Sequence, residues 1–243
     1  MITDSLPTLD TRERFRYFRS MRVYDMYSHK GGENFIRQHH GADLDEVLAA
    51  IVSTDAVVCL RKKSEERTKP PLIFSPPALN KCIKGQLHRA GWAVKDDGRK
   101  LGHREPRITW KNGQFREMDG IKNRVGLEVQ FGKYAFMGYD ILSKMVIFKK
   151  HGLIDCGIEV VADASLIHDM STGVSSFDQI MLDLRERGAA DLDIPVLIVG
   201  IGLTDAERER CEQKRLRFTR DPDAMIASGE VDGKRKGALP GPK

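Results

Sequence analysis

Phe115-Arg116-Glu117-Met118-Asp119-Gly120-Ile121-Lys122-Asn123-Arg124-Val125-Gly126-Leu127-Glu128-Val129-Gln130-Phe131 is the stretch on which the reading of the chain turns. Its second half alternates: Val125, Leu127, Val129 and Phe131 are apolar, with Gly126, Glu128, Gln130 and then Gly132 in the intervening positions. Period-two alternation predicts a strand with one buried face. The apolar set is expected to face a core, and Glu128 and Gln130 then project together from the other face. Asp119 stands nine positions before Glu128, at the end of the preceding strand candidate. Two carboxylates converging with a polar amide make a site for a hard divalent cation, which prefers oxygen ligands.

Around this stretch the sequence reads as β. Arg107–Trp110 and Gln114–Asp119 flank Asn112-Gly113, a strong hairpin-turn signal. On the N-terminal side, Ser75 followed by Pro76-Pro77 starts a helix, with proline in its first turn. Leu79, Ile83 and Leu87 share its apolar face, Gly91 ends it, and Trp92–Val94 begins a strand. On the C-terminal side, Gly138–His151 reads as a helix. Ile141, Leu142, Met145, Val146 and Phe148 form its apolar stripe, and Lys144, Lys149 and Lys150 its polar side. Gly152 fits as its C-cap. A strand over Gly157–Val161 follows, then a helix opened by Ser176-Phe177 and stopped by Gly188. Ile194–Val199 is a continuous apolar strand of the kind found inside a sheet. Thr204 caps a charged helix over Asp205–Lys214. From residue 75 the order is α, β, β, β, α, β, α, β. It predicts an α/β fold, a mixed β-sheet flanked by helices on both faces.

Composition sets the limits. The 243 residues suit one α/β domain, alone or with an appended lobe. Hydrophobic residues make up 40% and charged residues 31%, an ordinary globular balance with enough apolar material for a core. No apolar run approaches the roughly 18–20 residues that span a bilayer. Met1–Ser5 lacks the basic-then-apolar pattern of a signal peptide, so a cytoplasmic location is expected. Cys59, Cys82, Cys156 and Cys211 show neither CxxC nor zinc-knuckle spacing, which predicts free thiols. The seven histidines have no HxH or HExxH spacing, which argues against a zinc site. A net charge of +5 and a pI of about 9.0 lean mildly toward a polyanionic partner.

The residues quoted at the outset carry a resemblance. An Asp, a short hairpin-like link and a Glu-x-Lys on the next strand mark the PD-(D/E)xK nuclease superfamily. Asp119…Glu128-x-Gln130 resembles the BglII/BstYI branch of type II restriction endonucleases, which carries glutamine in the third place. Phe131-Gly132-Lys133-Tyr134 and the helix after it resemble that branch too, and the likeness spans residues 75–200. Met118 stands where the superfamily name has proline, at a position that packs rather than reacts. The resemblance implies a restriction-endonuclease-like fold and Mg2+-dependent, sequence-specific cleavage of palindromic double-stranded DNA. It implies a homodimer, since two-fold symmetry matches a palindrome, and a cognate DNA methyltransferase in the same restriction-modification system. The organisation expected is a single nuclease domain over 1–228, with an N-terminal helical lobe (1–70) and a catalytic core (75–200). A disordered tail is expected over 229–243. Within the lobe, Glu46–Ser53 reads as a short helix or its end, Ala56–Leu60 as a strand and Arg61–Lys69 as a charged, solvated loop or helix end. A repair or recombination nuclease of the same fold, and a non-catalytic DNA-binding protein, are the alternatives.

By the same resemblance Asp119 and Glu128 hold the metal, the carbonyl of Val129 supplies a third oxygen, and Gln130 completes the catalytic set. Phosphodiester hydrolysis builds negative charge on the phosphate oxygens, which a divalent metal neutralises while it acidifies a water. A glutamine amide takes up no proton at working pH, so Gln130 orients the attacking water rather than acting as its base. Solvent, hydroxide at the metal and a substrate phosphate oxygen stay open as the proton's destination. Relatives read DNA after this strand and before the later helix, here Lys133 and Tyr134, and Ser171, Thr172, Ser175 and Ser176. Ser175 or Ser176 serves equally well as a helix N-cap. Lys144, Lys149 and Lys150 are further phosphate contacts, although lysines on a helix face are usually solvated. Asn80, Lys84 and Gln86 lie on the helix before the core strands, where solvated residues are the stronger reading, and Glu117 reads as a surface glutamate.

Overall fold

The run from Val125 forms a strand, as its alternation predicts, but both of its faces are covered. The computed structural model describes residues 21–94, 106–133, 138–188 and 192–233. In chain order the strands are β1 (Met21–His29), β2 (Leu60–Lys63), β3 (Leu72–Phe74), β4 (Ala93–Val94), β5 (Arg107–Thr109), β6 (Phe115–Glu117), β7 (Gly120–Lys122), β8 (Val125–Gln130), β9 (Cys156–Ala162) and β10 (Val196–Leu203). Six of them make one sheet in the order β1-β10-β9-β8-β7-β4. The three central strands β8, β9 and β10 run parallel, and the outer ones pair antiparallel. β2–β3 and β5–β6 are separate two-stranded ribbons.

The helices are α1 (Gly32–His39), α2 (Gly41–Val52), α3 (Ala56–Cys59), α4 (Pro76–Arg89), α5 (Met145–Lys150), α6 (Ala164–Ile167), α7 (Phe177–Arg187), α8 (Asp205–Arg220) and α9 (Pro222–Ala227). Parallel strands need crossovers, and crossovers lay helices on both faces. On one face Leu127, Val129, Ile158, Val160, Leu197 and Val199 pack with Ile36, Leu44, Ile51, Leu79 and Ile83 of α1, α2 and α4. On the other, Val161, Val196 and Ile198 pack with Met145, Phe148, Phe177, Ile180 and Leu184 of α5 and α7. Glu128 therefore projects into a covered face, and the expectation of a single buried face is corrected.

Several local signals are met. α4 begins at Pro76 with Ser75 in the N-cap position, although the serine side chain makes no capping hydrogen bond. The Asn112-Gly113 hairpin joins β5 to β6, with Thr109 opposite Phe115. Ser176 opens α7 with a full capping box to Gln179, and Thr204 caps α8. α8 continues to Arg220, past the expected stop at Lys214, because Arg215 and Phe218 are buried on it.

Other segments differ. Residues 21–29, expected in a helical lobe, form the edge strand β1, paired antiparallel with β10. Among the described residues of that segment, the helices lie between Gly32 and Cys59. The partner that makes β1 a strand lies far along the chain, so no local pattern announces it. Of the basic stretch Arg12–Arg22, expected as helix-surface charge, residues 12–20 lie outside the described residues and Arg22 lies in β1. Ala56–Cys59 is a helical turn instead of a strand, because the Asp55 carboxylate accepts the Val57 N–H at 3.1 Å and caps it. The charged residues from Arg61 begin in β2, which pairs with β3 between the two proline pairs. The polar stretch 120–124 is β7 and a tight turn, in which Asn123 and Arg124 have φ of 46° and 68°. Two positive φ values in succession match the twist of a two-residue hairpin loop. In the segment 138–151, Asp140–Lys144 is wound as a π-helical turn before α5. Residues 229–233, expected in a disordered tail, are held to the fold: Val231 is buried, and the Asp232 N–H donates to the Arg61 carbonyl at 2.8 Å. Residues 234–243 lie outside the described part. All four cysteines are free thiols, as expected.

Candidate active site

β7 begins at Gly120, opposite Leu127, so among the described residues β8 has no strand partner on that side beyond Leu127. Asp119, just before β7, fills the gap. Its Oδ2 accepts the Val129 N–H at 3.0 Å. The N–H and C=O of one strand residue point to the same side. The Val129 carbonyl therefore opens toward the edge that Asp119 occupies. Behind Asp119 stands α4, whose Lys84 Nζ lies 3.2 Å from Asp119 Oδ1. Lys84 is buried at 6% exposure, which corrects the reading of a solvated lysine. On the same helix Asn80 Oδ1 is buried, and the Gln86 amide donates to the Ser53 carbonyl.

Glu128 sits on the neighbouring position of β8. The parallel register places it directly beside Glu159 of β9. Glu128 is 2% exposed and Glu159 is fully buried. Above them Lys144 Nζ lies 2.9 Å from Glu128 Oε1 and 2.5 Å from Asp140 Oδ1. Neither oxygen of Glu159 has a hydrogen-bond partner. Gly157 is what lets this helix come so close: a Cβ there would stand 2.4 Å from Met145 Sδ, the residue after Lys144. Gln130 is half-buried at the end of the same strand face. Gly132 leaves room for its amide, since a Cβ at 132 would stand 3.2 Å from Gln130 Oε1.

The electrostatics follow from this crowding. Burial raises Glu128 well above the usual carboxylate range, Asp119 and Asp140 add to it, and Lys144 opposes them. Burial also raises Glu159, again with Asp140 and Glu128 adding. Burial pulls Lys144 down, but the Glu128 and Asp140 carboxylates outweigh it and hold the ammonium above its ordinary value. Four acids, Asp119, Glu128, Asp140 and Glu159, thus share two lysines, Lys84 and Lys144. A bound cation inverts this logic and favours the ionised acids. The donors at the edge of β8 are two carboxylates and a carbonyl, all hard oxygens, which fits magnesium with its retained waters. Among the described residues no three His, Cys, Asp or Glu side chains form a group that could hold a metal ion.

The two predicted reading segments meet. Lys133 is exposed and bridges to Val174, which sets the exit of β8 beside the loop 171–176. Ser171 accepts from Lys62, and the Thr172 N–H donates to Glu66 at 3.1 Å. Ser176 is committed to the cap of α7, and Ser175 is fully buried. Neither faces solvent, which corrects their placing among DNA contacts. Tyr134 lies outside the described residues. Lys149 donates to the Asp193 carbonyl, and Lys150 is exposed. Glu117 pairs with Arg107 across the hairpin. Sequence reasoning missed Asp140, Lys144 and Glu159 as members of one cluster. A lone acid in the apolar run Gly157–Val161 was the available signal for Glu159.

The family model for restriction endonuclease BglII/BglIII matches residues 24–201, a span that contains Asp119, Glu128 and Gln130. The chain belongs to the BglII/BglIII restriction endonuclease family. It is a type II site-specific deoxyribonuclease with a restriction-endonuclease-like α/β fold. Among solved structures it is similar to restriction endonuclease BglII complexed with a DNA 16-mer, at 17% identity and a TM-score of 0.53, over 72% of this chain and 76% of that one. It is also similar to free BglII, at 18% identity and a TM-score of 0.44, over 72% and 77%. Among curated protein sequences none matches the chain. For this member of the BglII/BglIII family, no helix among the described residues is long and apolar enough to cross a membrane.

Proposed function

We propose that the chain cuts palindromic double-stranded DNA with Mg2+ held by Asp119, Glu128 and the Val129 carbonyl. The observation that carries this is the bond from the Val129 N–H to Asp119 at the open edge of β8, beside Glu128. Mg2+, when bound, neutralises charge building on the phosphate oxygens and acidifies a water. Gln130 orients the attacking water through its amide oxygen and takes up no proton. Lys84 steadies the second oxygen of Asp119. Lys133 and the loop of Ser171 and Thr172 face the duplex, and Ser175 and Ser176 serve the fold. The enzyme acts in the cytoplasm as a homodimer, matching the two-fold symmetry of its site. A methyltransferase of the same restriction-modification system protects host DNA.

The test is digestion of a DNA of known sequence with Mg2+ and with EDTA, beside Asp119→Ala and Glu128→Ala. Discrete fragments that need Mg2+ and vanish in both variants are expected. Random or structure-selective cutting would instead indicate repair chemistry. No cutting by folded, DNA-binding protein would leave a non-catalytic role.

A further inference from the structure

Glu159 poses a question that the proposed catalytic set does not answer. It is a fully buried acid with neither oxygen hydrogen-bonded, one strand away from Glu128. The group that serves this side of the site is Lys144. Its ammonium is shared between Glu128 and Asp140, at 2.9 and 2.5 Å. Asp140 and Lys144 lie four residues apart at the two ends of a π-helical turn, and their side chains are only 6% and 15% exposed. One cation therefore has two carboxylate partners, and one of these, Glu128, is also a proposed metal ligand.

We propose that Lys144 is a resident counter-cation, which holds Glu128 in the metal-free protein and passes to Asp140 when a divalent ion takes Glu128. The inference rests on the assignment of Glu128 as a metal ligand. Its physical basis is competition. An ammonium in contact with a buried carboxylate and a metal ion on the same oxygen repel each other strongly at low effective dielectric. Asp140 relieves this by offering the ammonium a second acceptor already in contact, so that no charge is left alone when the metal arrives. Lys144 is a positioning residue in this scheme, because it acts through Glu128.

The scheme predicts effects of opposite sign from two neighbouring substitutions. Lys144→Gln removes the competitor, so the ion binds more tightly, by roughly tenfold. Asp140→Asn removes the alternative acceptor and leaves Lys144 on Glu128, so the ion binds more weakly, by roughly the same factor. The measurement is Mn2+ binding to the full chain without DNA, read from the resonance signal of free Mn2+, with folding checked by thermal melts. Lys150→Gln, an exposed charge change on the same helix, is expected to stay within about twofold, since exposed charges are screened. Unchanged or weaker binding in Lys144→Gln, or tighter binding in Asp140→Asn, overturns the proposal. So does a Lys150→Gln effect as large as that of Lys144→Gln, which would mean net charge alone. If Lys144→Gln fails to fold, the Asp140→Asn result decides. Mn2+ binding indifferent to both Asp119→Ala and Glu128→Gln would overturn the metal-site assignment itself, and the competition with it.

Discussion

Glu128 and Glu159 stand side by side in register on parallel strands, both buried and both held above the usual carboxylate range. Desolvation is the largest cause for each. The consequence for stability has a definite sign. Below the ordinary glutamate value of 4.5, Glu159 is protonated in the folded and the unfolded chain alike. Above it the unfolded chain releases the proton and the folded one keeps it, so stability falls as pH rises.

Glu159→Gln cannot ionise and should escape that loss. Its melting temperature should exceed that of the unaltered chain at pH 8, since each unit of upward shift removed is worth about 1.4 kcal/mol. The difference should shrink as pH falls toward 4.5. Melts at four pH values between 5 and 8 check it, and a difference that does not vary with pH would count against a buried, proton-retaining Glu159.

Lys84→Met should strand the Asp119 carboxylate, whose side chain is 15% exposed. Removing one partner of a buried ion pair costs about 3–5 kcal/mol, and the partial exposure here places the loss at or below the lower end. Mg2+ should then raise the melting temperature of Lys84→Met by more than that of the unaltered chain, because the ion replaces the lost positive charge. Equal shifts would mean that Asp119 does not face the metal.

Ser176→Ala removes the hydroxyl that accepts the Gln179 N–H at the start of α7 and leaves the other half of the capping box, from the Ser176 N–H to the Gln179 amide oxygen. A loss of about 1 kcal/mol is expected in denaturant unfolding. DNA affinity and its salt dependence should stay as they were, since the hydroxyl is spent on the helix. A fall in affinity without a fall in stability would return Ser176 to the DNA-reading surface.

Gly32→Ala should be costly at a place with no chemistry. A Cβ there would stand 2.3 Å from the Val196 carbonyl oxygen, against backbone rather than a flexible side chain. Overpacking of this kind costs about 1–3 kcal/mol or more. Chemical denaturation would register it as a lower midpoint. A variant as stable as the parent would show that α1 can lift off β10 freely.

The sequence by itself determined whatever rests on local rules. The alternation of Val125–Phe131, the Asn112-Gly113 turn, the helix opened at Ser176-Phe177 and the proline start of α4 each depend on neighbours a few residues apart, and all four appear where the pattern puts them. Asp119 and Glu128 were legible as a pair because one short hairpin turn joins their strands. Only the tertiary structure decided the rest. β1 is a strand because β10 offers it an edge, and a hydrogen-bond ladder between such distant segments leaves no local trace. Lys84 and Lys144 read as solvated helix lysines, yet each is buried against an acid brought from elsewhere by the fold. Glu128 looked half-solvated until parallel pairing laid helices over both faces of its strand. Alternation reports which side chains differ in polarity. What covers each face, and hence which charges must find partners inside the protein, is set by packing between segments that the chain order keeps apart.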